Sequence, residues 1–217
     1  SGHLQVQRVG YLDKPQIESS VPSGLEKVKL LAGLVGVDAI TPRAISFGIL
    51  SSEEKVVGVQ LLGVDPIGEA RLSTIPGLVR RGRYLASISA REIVIGDALA
   101  RRLAVGLGDE ITLLGQGRDG SLVATIFPVV GIFESGLPDI DRNIGHISLG
   151  AFQEEFSMGS DVHSIVITVH DLGAIDRLQL EISELLKYSP QLVALRWDEL
   201  MPGIKQSIQL DMAAGWL

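Results

Sequence analysis

Glu92–Leu114, EIVIGDALARRLAVGLGDEITLL, reads as strand, helix, turn and strand in quick succession. Glu92–Ile95 is a short apolar run rich in β-branched residues, a strand signature. Asp97 is expected to cap a helix that turns Ala98, Leu99 and Leu103 inward and Arg101-Arg102 outward. Gly106-Leu107-Gly108-Asp109 then reverses the chain into a strand at Glu110–Leu114. A Gly-rich turn joins that strand to Leu122–Phe133, in which Gly131 predicts a bulge or a sharp bend. A strand at Ile144–Ser148 and a helix at Gly150–Phe156 complete a β-rich middle.

On the N-terminal side, Leu4, Val6, Val9 and Tyr11 form a short alternating strand. Ser23, with Glu26 three residues on, predicts a capping box. The helix it opens carries Leu25, Val28, Leu31 and Ala32 on one face and ends at Gly33 or Gly36. Val37–Ile40 is apolar and expected to break at Pro42. Ile45–Leu50 and Val56–Val64 read as strands around the polar turn Ser51–Lys55, and Asp65–Arg83 as a loop with a short helix. On the C-terminal side come a strand at Ser164–Val169, an amphipathic helix capped by Asp171 with apolar positions Ile175, Leu178, Leu180, Ile182, Leu185 and Leu186, and a strand at Leu192–Leu195. Strand–helix–strand units therefore sit at both ends. The expectation is an α+β fold: a split βαβ subdomain over residues 1–50 and 161–217, with a β-rich subdomain, 51–160, inserted between its halves.

The last segment differs. Trp197, Met201, Ile204, Ile208 and Met212 form one helical stripe, and the chain becomes more apolar toward Trp216-Leu217. Two readings fit it: a helix entering a membrane, with Trp216 at the interface, and an ordinary C-terminal core helix.

The 217 residues are 46% hydrophobic and 21% charged, the profile of a folded chain long enough to bury a core. A net charge of -7 argues against non-specific binding to nucleic acid or to an anionic lipid surface. The absence of Cys removes disulfides, thiolate nucleophiles and Cys-ligated metals. The longest apolar run, Thr125–Phe133, is interrupted by Pro128 and Gly131 and is far short of the roughly 20 residues of a span. No signal peptide is expected, and the sequence reads as a soluble piece.

The chemistry-bearing patterns fail on context. Gly115–Gly120 spells G-x-G-x-x-G, but strands lie on both sides where the dinucleotide fingerprint needs a following helix, so it reads as a hairpin turn. His163 and His170 lie seven residues apart along one strand and face opposite ways; these and His146 read as strand-end or surface residues. Asp139 and Asp141 lack EF-hand spacing and read as a solvated loop. Arg80-Arg81 with Arg83, and Arg101-Arg102, read as solvated faces. No G-x-S-x-G elbow occurs. No catalytic residue, metal ligand or cofactor site is assigned.

Ile93–Ile95, Ala100-Arg101-Arg102-Leu103, Gly108-Asp109-Glu110-Ile111 and Val129-Val130-Gly131-Ile132-Phe133 together resemble the extracytoplasmic core domain of MacB/FtsX/LolC-like ABC transporter permeases. The resemblance implies a Porter-like βαβ part with an inserted, Sabre-like β-rich part. It implies a domain of a multi-pass protein, on the periplasmic or extracellular face of the bacterial inner membrane. It further implies a separate cytoplasmic ABC ATPase, a second permease chain, and a periplasmic adaptor, carrier or hydrolase. The domain would move mechanically and perform no chemistry, with export or lipoprotein release as the outcome. In the LolC branch a hook loop captures a lipoprotein carrier; the matching segment here, Phe156–His163, is short and has no extended hairpin. Its residues Ser157, Met158, Gly159, Ser160 and Asp161 form the candidate partner-contact loop. Two alternatives remain at this point: an FtsX-like module that activates a cell-wall hydrolase, and a small-molecule-binding α+β domain using Asp139 and Asp141.

Overall fold

A computed structural model of the chain describes residues 2–200. The C-terminal stripe at Met201, Ile204, Ile208 and Met212, and Trp216, lie outside the described residues. The first unit is β1 (Leu4–Arg8), α1 (Gly24–Ala32) and β2 (Val37–Ser51). β3 (Val56–Val64), α2 (Pro66–Leu72) and β4 (Val79–Gly82) follow, then β5 (Ile93–Gly96), α3 (Asp97–Leu103), β6 (Glu110–Gln116) and β7 (Leu122–Phe133). The chain continues through α4 (Pro138–Asn143), β8 (Ile144–Ser148), α5 (Leu149–Glu155), β9 (Ser164–Val169), α6 (Ile175–Leu185), β10 (Leu192–Arg196) and a short α7 (Trp197–Leu200).

The ten strands form one mixed sheet in the order β10-β1-β9-β2-β3-β8-β5-β7-β4, with β6 pairing both β2 and β7. In the first four strands β1 lies between β10 and β9, antiparallel to both, and β9 is antiparallel to β2. The two strand–helix–strand units thus interleave. α1 and α6 contribute Leu31, Ile175, Leu178 and Ile182 to the core, whereas Leu180 and Leu185, also expected on the apolar side of α6, are exposed because they project from the helix away from the sheet. The other strands close on themselves: β2, β3, β8, β5, β7 and β6 form a ring, sealed where Ile49–Ser51 of β2 pairs with Thr112–Leu114 of β6. Closure removes unpaired edges and produces a barrel. Its inward positions alternate along each strand: Val57, Val59 and Leu61 on β3, Ile93 and Ile95 on β5, Ile111 and Leu113 on β6, Val123 and Phe127 on β7. These side chains and those of β1, α1 and α6 belong to one continuous core.

β2 was expected to break at Pro42 but runs through it. Arg43 C=O accepts from His163 N–H on the β9 side, so the neighbouring Pro42 turns its backbone nitrogen to the opposite side. There the β3 ladder ends at the pair Arg43–Val64, one residue short, so the missing donor costs no ladder bond. Three expected caps also differ. Ser23 is left-handed (φ 51) and makes no side-chain cap; its N–H donates to Asp161 instead. Gly96 holds the N-cap of α3, and Asp97 uses its carboxylate on Arg81 and Arg101. Asp171 caps a 3-10 turn at Leu172–Ala174, and α6 starts after it. The Asp65–Arg83 stretch is more ordered than expected: Asp65 accepts from Ile67 N–H to start α2, and β4 adds to the sheet edge.

Gly131 does mark a bulge, because the β5–β7 register slips between Ile93–Val129 and Val94–Gly131. A Cβ there would land on the backbone oxygen of Arg83, which cannot rotate away. Gly58, on the outer side of β3, has open space around the same position. Gly131→Ala should therefore lose about 2–4 kcal/mol of unfolding free energy. Gly58→Ala should gain a few tenths to about 1 kcal/mol. Urea denaturation of the two variants checks the contrast.

Candidate functional site

The side chains that matter most to the architecture gather where β2 changes partner from β9 to β3. Asp65 starts α2, and one turn later Glu69 points back at the strand. Arg43 Nε and Nη2 donate to its two carboxylate oxygens at 3.0 and 2.7 Å. The Glu69 side chain is 1% exposed and that of Arg43 14%, so this is a buried bidentate pair. Beside it, Tyr84 Oη and His146 Nδ1 are 2.7 Å apart. Arg43, Glu69 and His146 line a cavity of about 290 Å³ together with Leu62, Ile75, Ile140 and Ile144. Burial pushes the His146 imidazole down to about 4, so it is neutral at neutral pH, and pushes the Tyr84 phenol up.

His163 works on the other side of β2. As β9 ends, Ile45 N–H would lose its ladder partner; His163 Nδ1 accepts it at 2.9 Å. That fixes the tautomer, because the remaining Nε2–H then donates to Ile17 C=O at 3.0 Å. The ring stacks on Tyr11 at 5.5 Å, and burial lowers its pKa while raising that of Tyr11 to about 12. His163 stands at the end of β9, as expected, but it is buried, and so is His146 within β8, so neither is a surface residue. A surface ring in this place would leave Ile45 N–H without its acceptor. His170 is exposed, beside Asp38 at 3.3 Å.

The other predicted residues are dispersed. In the loop 157–161, Ser157 and Gly159 have left-handed backbone (φ 54 and 60). Met158 is fully buried and Gly159 and Ser160 are exposed. Asp161 accepts from Ser20 Oγ, Ser23 N–H and Arg118 Nη1 at 2.9, 3.1 and 2.5 Å, which ties the loop down at that end. Asp139 and Asp141 lie on α4, not in a solvated loop. Asp139 is exposed, while Asp141 is buried and accepts from Ser135 N–H and Oγ at 2.8 and 2.7 Å, so it staples the β7–α4 connection. Gly115–Gly120 runs from the end of β6 into the β6–β7 hairpin turn, with strand on each side of the turn. Arg81 and Arg83 are exposed, as expected of a solvated face, and pair with Asp97 and Glu92. Among the described residues no three His, Asp or Glu side chains converge as a metal site. The polar groups at the β2 crossing hold a strand in place.

Sequence reasoning missed Arg43 and Glu69. The available signal was an Arg directly after Pro42 in an apolar strand, and a Glu one turn into a helix with an Asp-Pro start. Two predictions follow from this geometry. Glu69→Ala should cost about 3–5 kcal/mol, while the Arg43→Met/Glu69→Leu double variant should cost clearly less, as read by denaturant midpoints. His146 is the second. Its folded pKa lies below the unfolded value of about 6.5, so the unfolded chain takes up the proton first as pH falls. Its contribution is full above about pH 6.5 and declines by up to about 3 kcal/mol toward pH 4. His146→Gln should flatten the fall in urea midpoint across that window.

No helix among the described residues is long and apolar enough to cross a membrane. The fold matches the extracellular domain of the ABC-type transporter YknZ from Gram-positive bacteria, with a TM-score of 0.66 at 15% identity, covering 90% of this chain and 99% of that one. It also matches the periplasmic region of MacB from Actinobacillus actinomycetemcomitans, with a TM-score of 0.65 at 17% identity, covering 96% and 93%. A domain of a putative permease from Porphyromonas gingivalis gives a TM-score of 0.58 at 14% identity, covering 91% and 90%. Residues 2–185 match the MacB-like periplasmic core domain family. The chain belongs to that family, and is the periplasmic or extracellular, non-catalytic domain of a MacB-like ABC transporter permease.

Proposed function

We propose that this domain is a mechanical lever held between two membrane anchors, and that it passes ATP-driven motion to substrate or partner proteins outside the membrane. The observation that carries the reading is the position of the described ends. Leu4 on β1 lies directly opposite Arg196 on β10, and Trp197 N–H donates to His3 C=O at 3.1 Å. Both ends therefore leave the sheet side by side, as two anchors in one membrane face require. The anchors would place the domain on the periplasmic or extracellular face of the bacterial inner membrane. Residues 1–50 and 161–217 are the Porter-like part with split βαβ order, and 51–160 the Sabre-like insert, with β2 passing from one to the other. The motion would come from a cytoplasmic ABC ATPase acting through the rest of the permease, which works with a second permease chain.

The partner outside the membrane would be an adaptor, a carrier or a hydrolase. The 157–161 loop is a contact candidate through its exposed residues Gly159 and Ser160, with Ser157, Met158 and Asp161 shaping it from beneath.

The test is to insert a flexible Gly-Ser segment after Leu200 in the complete permease. Transport should be lost while ATP hydrolysis continues, because a floppy joint transmits no displacement. Transport at the wild-type rate would overturn the lever reading.

A further inference from the structure

The barrel wall is clothed on one side only. Across β3, β8, β5 and β7, outward residues Val64, Val94 and Phe133 are buried in a second apolar cluster with Leu62, Ile75, Tyr84, Ile140 and Ile144. Across β3, β2, β6 and β7 no element among the described residues covers the outer side, yet many of its residues are apolar. Phe47 is 63% exposed, Ile49 42%, Val56 68%, Ile126 53% and Leu122 80%. The strand registers place them in adjacent rows. One row runs Val56, Ser51, Thr112, Ile126, and the next runs Gly58, Ile49, Leu114, Ala124. Phe47 and Leu122 border the next row, at Gln60 and Gln116. An antiparallel wall facing water normally alternates apolar-in and polar-out. Here the pattern is broken on β2 and β7 and at Val56 of β3, and the row Gly58, Ile49, Leu114, Ala124 joins these residues into an apolar patch, the kind that marks an interaction surface.

The surface has a polarity. Beyond the Val56–Ile126 row, Glu110 stands opposite Pro128, and Glu53, Glu54, Asp109 and Glu110 line a cleft of about 420 Å³. Lys55 is the only cation in the Ser51–Lys55 turn. We propose that this wall docks a protein partner whose contact segment carries an aliphatic or aromatic stripe with Lys or Arg grouped at one end. The stripe would lie along the rows, with Gly58 and Ala124 leaving a shallow trough beside Ile49 and Leu114, and the basic end would meet the carboxylates. The acidic end disfavours an anionic lipid surface, and ring closure leaves no strand edge there for a partner to extend. The inference goes beyond the transport reading and does not depend on it.

The probe is a synthetic amphipathic helix of Leu and Lys with its Lys residues grouped at one end, titrated into the full chain. A Leu/Glu peptide of the same pattern is the control. The Leu/Lys peptide should bind and the Leu/Glu peptide should not. Val56→Ser/Ile126→Ser should weaken binding about tenfold, with Leu122→Ser as a second, independent surface variant. Glu53→Gln/Glu54→Gln and high salt should each weaken it severalfold. Thermal midpoints should stay at the wild-type value, since all of these side chains are at the surface. Binding that ignores the variants, equal binding of both peptides, or no binding would overturn the proposal. So would a wild-type dimer that Val56→Ser dissolves, because the occupant would then be a second copy.

Discussion

The fold depends on a single strand being shared. β2 pairs with β9 up to Arg43, then with β3, and finally with β6. A strand that changes neighbours must still satisfy its backbone groups at the crossing. Pro42 removes a donor at the one place where no acceptor stands, and His163 supplies an acceptor for Ile45 N–H where β9 runs out. Arg43 is held from the opposite side by Glu69. Burying two charges is justified only by close bidentate geometry, which also makes the pairing intolerant of slippage. A shift of β2 by one residue would exchange the inward Ala44, Ser46 and Leu50 for Ile45, Phe47 and Ile49 and break the ion pair together.

With β2 fixed, the remaining parts follow. The open four-strand portion carries the described ends, and the closed ring rises from the far end of the same strand. A barrel filled by Val, Ile, Leu and Phe is stiff, because its interior is close-packed and its strands have no free edge within the ring. A stiff body on a continuous strand moves when its base moves. This is the mechanical property that the lever reading uses, and no reactive group is needed for it.

Much of this was legible in the residues. The strand–helix–strand units, the hairpin at Gly115–Gly120 and the bulge at Gly131 follow from local patterns. The missed features are those decided at long range. Pro42 looks like a strand breaker until the register shows which way its nitrogen faces. Ser23, Asp97 and Asp171 look like helix caps, but Asp161, Arg81 with Arg101, and Gly173 N–H respectively compete for their positions. His146 and His163 carry no local sign of burial. Ring closure rests on three residues of β2 meeting β6, a contact between distant segments that no periodicity encodes. The bare wall was half legible: alternation shows that Phe47 and Ile49 face away from Leu50, but not that no other described element covers them.

Because the ring has consumed its own borders, β10 and β4 are the outermost strands of the sheet among the described residues. β4 is four residues long and bears Arg80 and Arg81, and β10 is five residues long and ends at Arg196. Short, cationic margins are poor templates for a neighbouring chain. Many copies could therefore crowd together without zippering into aggregates, and any association they make must be negotiated between side chains, where selectivity resides.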